Sequence, residues 1–256
     1  MPITSPNNES LKEVRKLAGR KRRDKTRTFV AEGEDLIAAA EAAGWRAELQ
    51  LCEAGSGLAG EEVASHLLKQ HSQLGSGTRA LAVYPQRWAP APVGPLCVAL
   101  WGVNDPGNVG TVLRAALAFG AASVALGPGT ADPYGHKAVR ASMGALFSVP
   151  VVRVANVGEL PGRKVALVPR GGRTLAELAR GEAGEASAGG EASRRDRKRS
   201  EAVEICLVVG AEREGLSPGV LASCNETVHI PIHSESLNAA MAATIGLYEV
   251  TRVAPA

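Results

Sequence analysis

The chain has 256 residues, 45% of them hydrophobic, and a formal net charge of +3, which is typical of a soluble globular protein with a sizeable core. No apolar run approaches the roughly 20 residues of a membrane-spanning helix, which excludes a membrane-embedded protein. The cysteines form no C-x-x-C pair and follow no signal peptide. We therefore expect neither disulfides nor a zinc site, and we place the protein in the reducing cytoplasm.

Positive charge is concentrated near the N-terminus, where nine Lys or Arg residues and two acids lie between Lys12 and Arg27. Such a run is typical of a segment that neutralises phosphates, and a solvated basic terminus is the equally good alternative. Aromatic residues make up only 4% of the chain, which argues against a single-strand binder that stacks bases along an aromatic platform.

The next segment predicts a small α/β unit. An apolar piece begins at Phe29, an alanine-rich helix is predicted over 34–43 and ends at Gly44, and a second apolar piece reaches Leu51. Residues 61–70 and 79–84 continue the alternation. Residues 85–95 contain four prolines, which cannot donate to a β-ladder. We therefore place a linker at 89–95, between domains of residues 1–88 and 96–256.

The second domain predicts a mainly parallel sheet, because continuous apolar runs are typical of strands that are covered on both faces. The predicted strands are 96–103, 123–126, 164–168, 205–209 and 228–232, and the predicted helices are 109–119, 136–146 and 238–251. The last helix is apolar on most of its circumference, which requires burial against the sheet or a second subunit. Residues 181–201, rich in Gly, Ala, Ser and charge, predict a mobile loop.

Polar segments follow three of these strands. In the first, residues 104–114, Asn108 occupies an N-cap or loop position and Arg114 lies about one and a half turns into the helix. Both can face the carboxyl edge of the sheet, where α/β proteins bind ligands, and Arg114 offers a fork of donors to a phosphate or carboxylate. A helix cap at Asn108 and a surface ion pair at Arg114 are equally open interpretations.

The second segment, residues 209–216, runs from a strand into a turn at Gly210 and then to Glu212. Gly210 allows another group to approach the backbone closely, and a simple glycine turn with a solvated Glu212 is the alternative. The third segment, residues 230–238, enters a helix for which Ser236 or Asn238 is a good N-cap. Neither the G-x-G-x-x-G pattern nor a P-loop is present.

Together these segments offer loop backbone and short polar side chains but no metal ligands. Such a pocket suits an adenosine-containing cofactor better than a hydrolytic reaction. A serine nucleophile, Ser234 or Ser236 with His233 as base, is disfavoured because the G-x-S-x-G pattern is missing and adjacency in sequence is not the geometry of a triad.

Residues 96–256 resemble the catalytic domain of the SpoU or TrmH branch of the SPOUT RNA methyltransferases. The matching residues are Asn108, Gly110 and Arg114, then Gly210 to Glu212, then Ser236 to Asn238. Residues 136–147 look like the family's stretch between the first two motifs. The N-terminal part is similar to the small ribosomal-protein-like RNA-binding domain that often precedes this catalytic domain.

The resemblance implies methyl transfer from S-adenosylmethionine to a ribose 2′-hydroxyl of RNA, with ribosomal RNA as the expected substrate and transfer RNA as the alternative. It also implies an α/β fold with a C-terminal trefoil knot, and a homodimer whose active sites draw on both subunits. The implied cofactor-binding residues are Leu126, Gly127, Gly210, Ile230, Ile232 and Leu237, and the implied catalytic residues are Arg114, Asn108, Glu212, Ser236 and Asn238. The predicted RNA contacts, all but Arg140 in the basic run, are Arg15, Lys16, Arg20, Lys21, Arg22, Arg23, Lys25 and Arg140.

The methyl sulfonium is already activated, so the expected task is to align the ribose oxygen and remove its proton, with no metal. We expect Arg114 to orient the nucleotide, because a guanidinium is a poor base. Asn108 and Asn238 are expected to hydrogen-bond the ribose and hold loops, and Glu212 to position Arg114. The alternatives are a non-catalytic RNA-binding protein of the same fold and an unrelated α/β transferase or hydrolase.

Overall fold

A computed structural model describes residues 1–73, 77–180 and 204–253. The mobile loop predicted at 181–201 lies outside these residues. The N-terminal elements are, in chain order, α1 (Glu9–Leu17), α2 (Arg20–Thr26), β1 (Thr28–Glu32), α3 (Glu34–Ala42), β2 (Leu49–Glu53), β3 (Glu61–Val63), α4 (Ser65–His71) and β4 (Ala80–Pro85). Their strands form a mixed sheet with the order β1-β4-β2-β3, in which β4 is antiparallel to both of its neighbours.

The basic N-terminal run forms the first two helices. The side chain of Asn8 caps α1 by accepting a hydrogen bond from the amide of Ser10 at 2.8 Å, which satisfies a donor that the first turn leaves free. Leu11, Val14 and Leu17 recur at helical spacing and are buried against the small sheet. The apolar stripe therefore holds α1 on the sheet and leaves the basic side of the helix in solvent.

The second part of the chain contains β5 (Leu96–Trp101), α5 (Pro106–Ala118), β6 (Ser123–Leu126), α6 (His136–Ala141), β7 (Val151–Arg153), β8 (Arg163–Val168), β9 (Arg173–Thr174), α7 (175–180), β10 (Ile205–Gly210), α8 (Pro218–Ala222), β11 (Glu226–His229) and α9 (Ala239–Val253). Its strands have the order β7-β6-β5-β10-β8-β11-β9, and every pairing among them is parallel. The predicted mainly parallel sheet is confirmed.

Both faces of this sheet are covered, as the continuous apolar runs predict. Along β5, Leu96, Val98 and Leu100 belong to one core, and Cys97 and Ala99 belong to the core on the opposite face. This alternation follows from the two-residue period of a strand. Of the helices in the described ranges, none is long and apolar enough to cross a membrane.

Several predicted elements differ in extent from those of the structure, among them the helix at 136–146 and the strand at 228–232. The helix predicted over 136–146 ends at Ala141, because Met143 and Gly144 adopt positive φ angles of 48° and 90°. A Cβ on Gly144 would lie 2.5 Å from the Cβ of Ala39, so this break lets α3 approach closely. The strand predicted over 228–232 covers Glu226–His229 instead, and the residues that follow it form a loop.

The two sheets share one continuous core. Phe29 lies 4.8 Å from Tyr134 between ring centroids, and Trp45 lies 5.1 Å from Phe147. The indole nitrogen of Trp45 donates to the carbonyl of Phe147 at 2.8 Å. Several of the few aromatic residues are thus used to join the N-terminal elements to the larger sheet.

A buried ion pair crosses the same boundary. The Arg23 guanidinium donates to Oδ2 of Asp132 at 3.0 and 2.8 Å, and both residues are less than 10% exposed. Arg23 also donates to the carbonyls of Leu17 and Ala18. Removing either partner would leave a charge buried without compensation. The contact therefore ties α2 to the loop that follows β6.

Candidate active site

The first polar segment begins α5 with a cap that differs from the predicted one. Oδ1 of Asp105 accepts hydrogen bonds from the amides of Gly107 and Asn108 at 2.5 and 3.1 Å, and Pro106 occupies the first helical position. The interpretation of Asn108 as the helix cap is therefore wrong. Because Asp105 performs that function, the Asn108 side chain is available for other contacts.

The third polar segment has a residue with two functions. Oδ1 of Asn238 accepts from the amides of Ala240 and Met241 at 3.0 and 3.2 Å, which caps α9. Its Nδ2 donates to Oδ1 of Asn108 at 3.0 Å and to Oε1 of Glu212 at 2.5 Å. Asn238 is thus the helix cap, as one interpretation of the sequence proposed. Its side chain also makes two hydrogen bonds that capping does not explain.

Asn108, Glu212 and Asn238 form a closed group of polar side chains at the carboxyl edge of the sheet, and we call it the amide–carboxylate cluster. Nδ2 of Asn108 also donates to Oε1 of Glu212, at 2.5 Å. The cluster brings together the three separated segments singled out in the sequence. Each amide orientation is set by a neighbour, so the cluster is pre-organised.

Arg114 is not part of this cluster. Glu212 accepts from the two asparagines, and within the described part of the chain Arg114 is exposed and has no hydrogen-bonding or ion-pair partner. The prediction that Glu212 positions Arg114 is wrong for a single subunit. Asn108 and Arg114 are six residues apart in α5. This separation corresponds to a rise of about 9 Å and a rotation of about 240° along an α-helix, so the two side chains lie on different sides of α5.

Replacing Asn238 separates its two functions. We expect Asn238→Ala to lower the free energy of unfolding by about 1 kcal/mol, because α9 loses its cap. Asn238→Ser keeps a capping oxygen but removes Nδ2, so its unfolding free energy should stay close to that of the wild type while the cluster is opened. Urea unfolding measures both. Equal destabilisation by the two substitutions would contradict the capping role.

A cavity of about 680 Å³ lies beside the cluster, at the carboxyl ends of β8, β10 and β11. Its volume falls within the range of small-molecule sites. Four of the predicted cofactor-binding residues line it: Gly210, Ile230, Ile232 and Leu237. Ser236, a predicted catalytic residue, also lines it and is exposed. Leu126 and Gly127 do not line this cavity. Leu126 ends β6, two strands away from β10, and Gly127 follows it; both line a second cavity.

The close approach predicted at Gly210 is made by the chain itself. A Cβ on Gly210 would lie 2.5 Å from the carbonyl carbon of Gly215, because the turn over residues 211–215 folds back onto the end of β10. The amide of Gly215 donates to the carbonyl of Ala211 at 2.9 Å and closes this turn. A side chain at Gly210 would displace this turn, whose residues line the cavity.

Sequence reasoning missed part of the cavity wall. The end of β8 and the residues after it contribute Leu167, Val168, Pro169 and Arg170, and the apolar side chains of Leu216 and Leu221 complete one side. Because all carboxyl ends of a parallel sheet lie at one edge, the end of β8 could have been included on that rule alone. Among the described residues, no group of three His, Cys, Asp or Glu side chains is arranged to hold a metal ion.

The residues predicted to contact RNA differ in their exposure and in their ion pairing within the chain. Arg15, Lys16, Arg20, Lys21 and Lys25 are exposed. Arg22 is engaged by Glu13 through bonds of 2.9 and 2.6 Å, and Arg140 is engaged by Asp35 at 2.9 and 2.8 Å. The prediction for Arg23 is wrong, because its guanidinium is buried with Asp132. Ion pairing thus engages Arg22 and Arg23 of the basic run within the chain itself.

Comparisons with known proteins match both parts of the chain. The model of the SpoU rRNA methylase family matches residues 95–248, and that of the MRM3-like substrate binding domain matches residues 8–83. The chain is 28% identical to the 23S rRNA (guanosine(2553)-2′-O)-methyltransferase RlmP of Bacillus subtilis over 97% of this chain and 98% of that protein.

Two solved structures are also similar. An AdoMet-bound rRNA methyltransferase from Sinorhizobium meliloti has a TM-score of 0.79 and 28% identity, covering 98% of this chain and 97% of that one. The SpoU methyltransferase AviRb from Streptomyces viridochromogenes, in complex with AdoMet, has a TM-score of 0.79 and 26% identity, covering 96% and 98% of the two chains. Both likenesses extend over the N-terminal elements as well as the larger sheet.

Proposed function

Because the chain belongs to the SpoU rRNA methylase family, we propose that it transfers a methyl group from S-adenosylmethionine to a ribose 2′-hydroxyl of ribosomal RNA. The observation that most supports this reaction is the amide–carboxylate cluster beside the 680 Å³ cavity, since the loops that supply Glu212 and Asn238 also line the cavity. The Bacillus subtilis relative, named as a 23S rRNA 2′-O-methyltransferase, aligns with nearly the whole chain and supports the choice of ribosomal RNA. With ribosomal RNA as the substrate, the proposed reaction takes place in the cytoplasm.

The cavity suits the proposed cofactor. Val209, Leu216 and Leu221 give it an apolar wall for the adenine, and the loops at Gly210 and over 230–237 supply backbone donors and acceptors. Charged side chains at the mouth, Arg170 and Glu235 among them, are available to the carboxylate and ammonium groups of the methionine part. When bound there, S-adenosylmethionine supplies an activated methyl group. The family assignment further predicts that the chain around this cavity is threaded as a trefoil knot.

The hydrogen bonds of the cluster support different tasks for the two asparagines. An amide NH₂ group has two hydrogens, and Asn238 uses both of them, on Asn108 and on Glu212. Asn108 uses one, on Glu212, and keeps one for a ligand. We therefore assign Asn108 to hydrogen-bond the ribose, and Asn238 and Glu212 to hold Asn108 in place. This replaces the expectation that both asparagines contact the ribose.

The proposed enzyme is a homodimer in which Arg114 of the partner subunit completes each site. Leu117, Met241 and Tyr248 are 48%, 56% and 49% exposed, although α5 and α9 pack against each other and form much of the core. Arg114 lies one turn before Leu117, on the same exposed side of α5. A partner subunit that covers these apolar side chains would also lie against Arg114. The Arg114 side chain would then point toward the partner subunit.

The reaction is tested by incubating the protein with labelled S-adenosylmethionine and with ribosomal or transfer RNA from cells that lack it. Mapping of alkali-resistant dinucleotides then locates the ribose methyl group. We expect one labelled site in ribosomal RNA for the wild type and none for Asn108→Ala. Label confined to transfer RNA would select the alternative substrate. The protein would be non-catalytic if it binds the cofactor or RNA tightly but transfers no methyl group. This must hold both for naked RNA and for assembled ribosomal subunits.

A further inference from the structure

The second cavity, of about 210 Å³, lies at the carboxyl ends of β6 and β7. Its wall contains Arg20 from α2, Trp88 from the segment after β4, the loop over 127–133 and Arg153 from the end of β7. The N-terminal elements and the larger sheet therefore both contribute to it. It is smaller than the sites that enclose a whole drug-sized ligand, which start at about 300 Å³, and it suits one base or one sugar–phosphate unit.

Backbone hydrogen bonds connect this cavity to the proposed active site. The amide of Gly102 donates to the carbonyl of Pro128 at 3.1 Å, and the amide of Ala131 donates to the carbonyl of Val103 at 2.9 Å. Residues 102–105 lead directly into α5 and Asn108. Both cavities lie at the carboxyl edge of the sheet, and their nearest strands, β6 and β10, are separated by β5 alone, or about 10 Å by strand spacing.

The side chains of the cavity match a nucleotide. The Arg153 guanidinium lies 4.1 Å from the centroid of the Trp88 ring, so a cation and an aromatic face are already stacked. Arg20 and Arg153 share one carboxylate, that of Asp24, at 3.6 and 3.5 Å. These distances exceed those of a strong charge-assisted hydrogen bond, about 2.7–2.9 Å. The two cations are half exposed, carry one net positive charge with Asp24, and remain able to bind a phosphate.

We propose that the second cavity binds a nucleotide of the substrate RNA other than the one that is methylated. Its phosphate contacts Arg20 and Arg153, and its base stacks on the Trp88–Arg153 pair, because bases in single-stranded RNA stack on aromatic rings and guanidinium planes. The proposal rests on the proposed function, since it needs RNA to lie along this edge of the sheet. A nucleotide held here would fix the register of the RNA relative to the methyl group.

The test compares Arg153→Gln and Trp88→Leu with Arg79→Gln. Arg79 is as exposed as Arg153 and also pairs with carboxylates, but it precedes β4 and so lies at the opposite end of that strand from Trp88. We expect the KM for RNA to rise about tenfold in the first two variants, with kcat and the Kd for S-adenosylmethionine unchanged. Arg79→Gln should keep the wild-type KM. An unchanged KM in Arg153→Gln would overturn the proposal.

Photo-cross-linking gives a readout that does not depend on turnover. A ribosomal RNA fragment that contains 4-thiouridine should cross-link to Trp88 or to residues 127–133, and Arg153→Gln should reduce that cross-link. Cross-links confined to α1 would contradict the second cavity as a nucleotide site. A cross-link at Trp88 in a protein that methylates no RNA would support the nucleotide site while refuting the proposed function.

Discussion

Arg114→Ala is expected to lower kcat for methyl transfer by about a hundredfold, because misplacing a reacting group by about 1 Å has an effect of this size. The Kd for S-adenosylmethionine should not change, since Arg114 is exposed and does not line the cofactor cavity of its own subunit. Single-turnover transfer to ribosomal RNA measures the first quantity and calorimetry the second.

Two controls sharpen this prediction. Arg114→Lys keeps the charge but lacks the planar fork of donors, so it should recover only part of the rate if Arg114 binds a phosphate in two places. Arg79→Ala removes an exposed arginine that pairs with Glu34 and Glu53 of the N-terminal elements, and it should keep the wild-type kcat. Wild-type turnover in Arg114→Ala would refute the assigned role of Arg114.

Mixing Arg114→Ala subunits with Asn108→Ala subunits is expected to restore activity that neither variant has alone. If Arg114 acts across the interface, one of the two sites in each mixed dimer combines an intact Asn108 with an intact Arg114 of the partner subunit. Random exchange makes half of the dimers mixed, so the expected activity is about a quarter of the wild type. Transfer is measured after subunit exchange has been followed by native mass spectrometry.

The outcome of mixing decides between two arrangements. If exchange is complete and no activity returns, Arg114 and Asn108 serve the same subunit, and the proposed arrangement fails. A single monomeric species at all concentrations would contradict the homodimer itself. The control is Leu117→Glu, which places a charge among the exposed apolar side chains of α5 and α9 and should prevent both dimerisation and recovery.

Local sequence patterns predicted the larger sheet well. The strand predicted at 123–126 has the same bounds in the structure, and the other predicted strands overlap observed ones. Continuous apolar runs give this information because a doubly covered strand must be apolar on both faces. The short strands β7 and β9 were missed, since two or three residues show no periodicity.

The candidate site was predictable as a set of segments but not as a set of contacts. Strand ends with polar residues identified Asn108, Glu212 and Asn238, because parallel strands bring their carboxyl ends to one edge. The partner of each side chain could not be read in the same way. Asp105 caps α5 in place of Asn108, and Glu212 binds the two asparagines in place of Arg114.

By itself, the sequence determined the α/β class, the parallel sheet and the three loops of the site, since these follow from short-range patterns of apolar and polar residues. Only the tertiary structure decided which basic residues are free and which are paired. Arg23 and Lys25 look alike in the basic run, but Arg23 is buried against Asp132, 109 positions away, and Lys25 is exposed. Burial and pairing depend on residues distant in the chain, so a local pattern does not contain them.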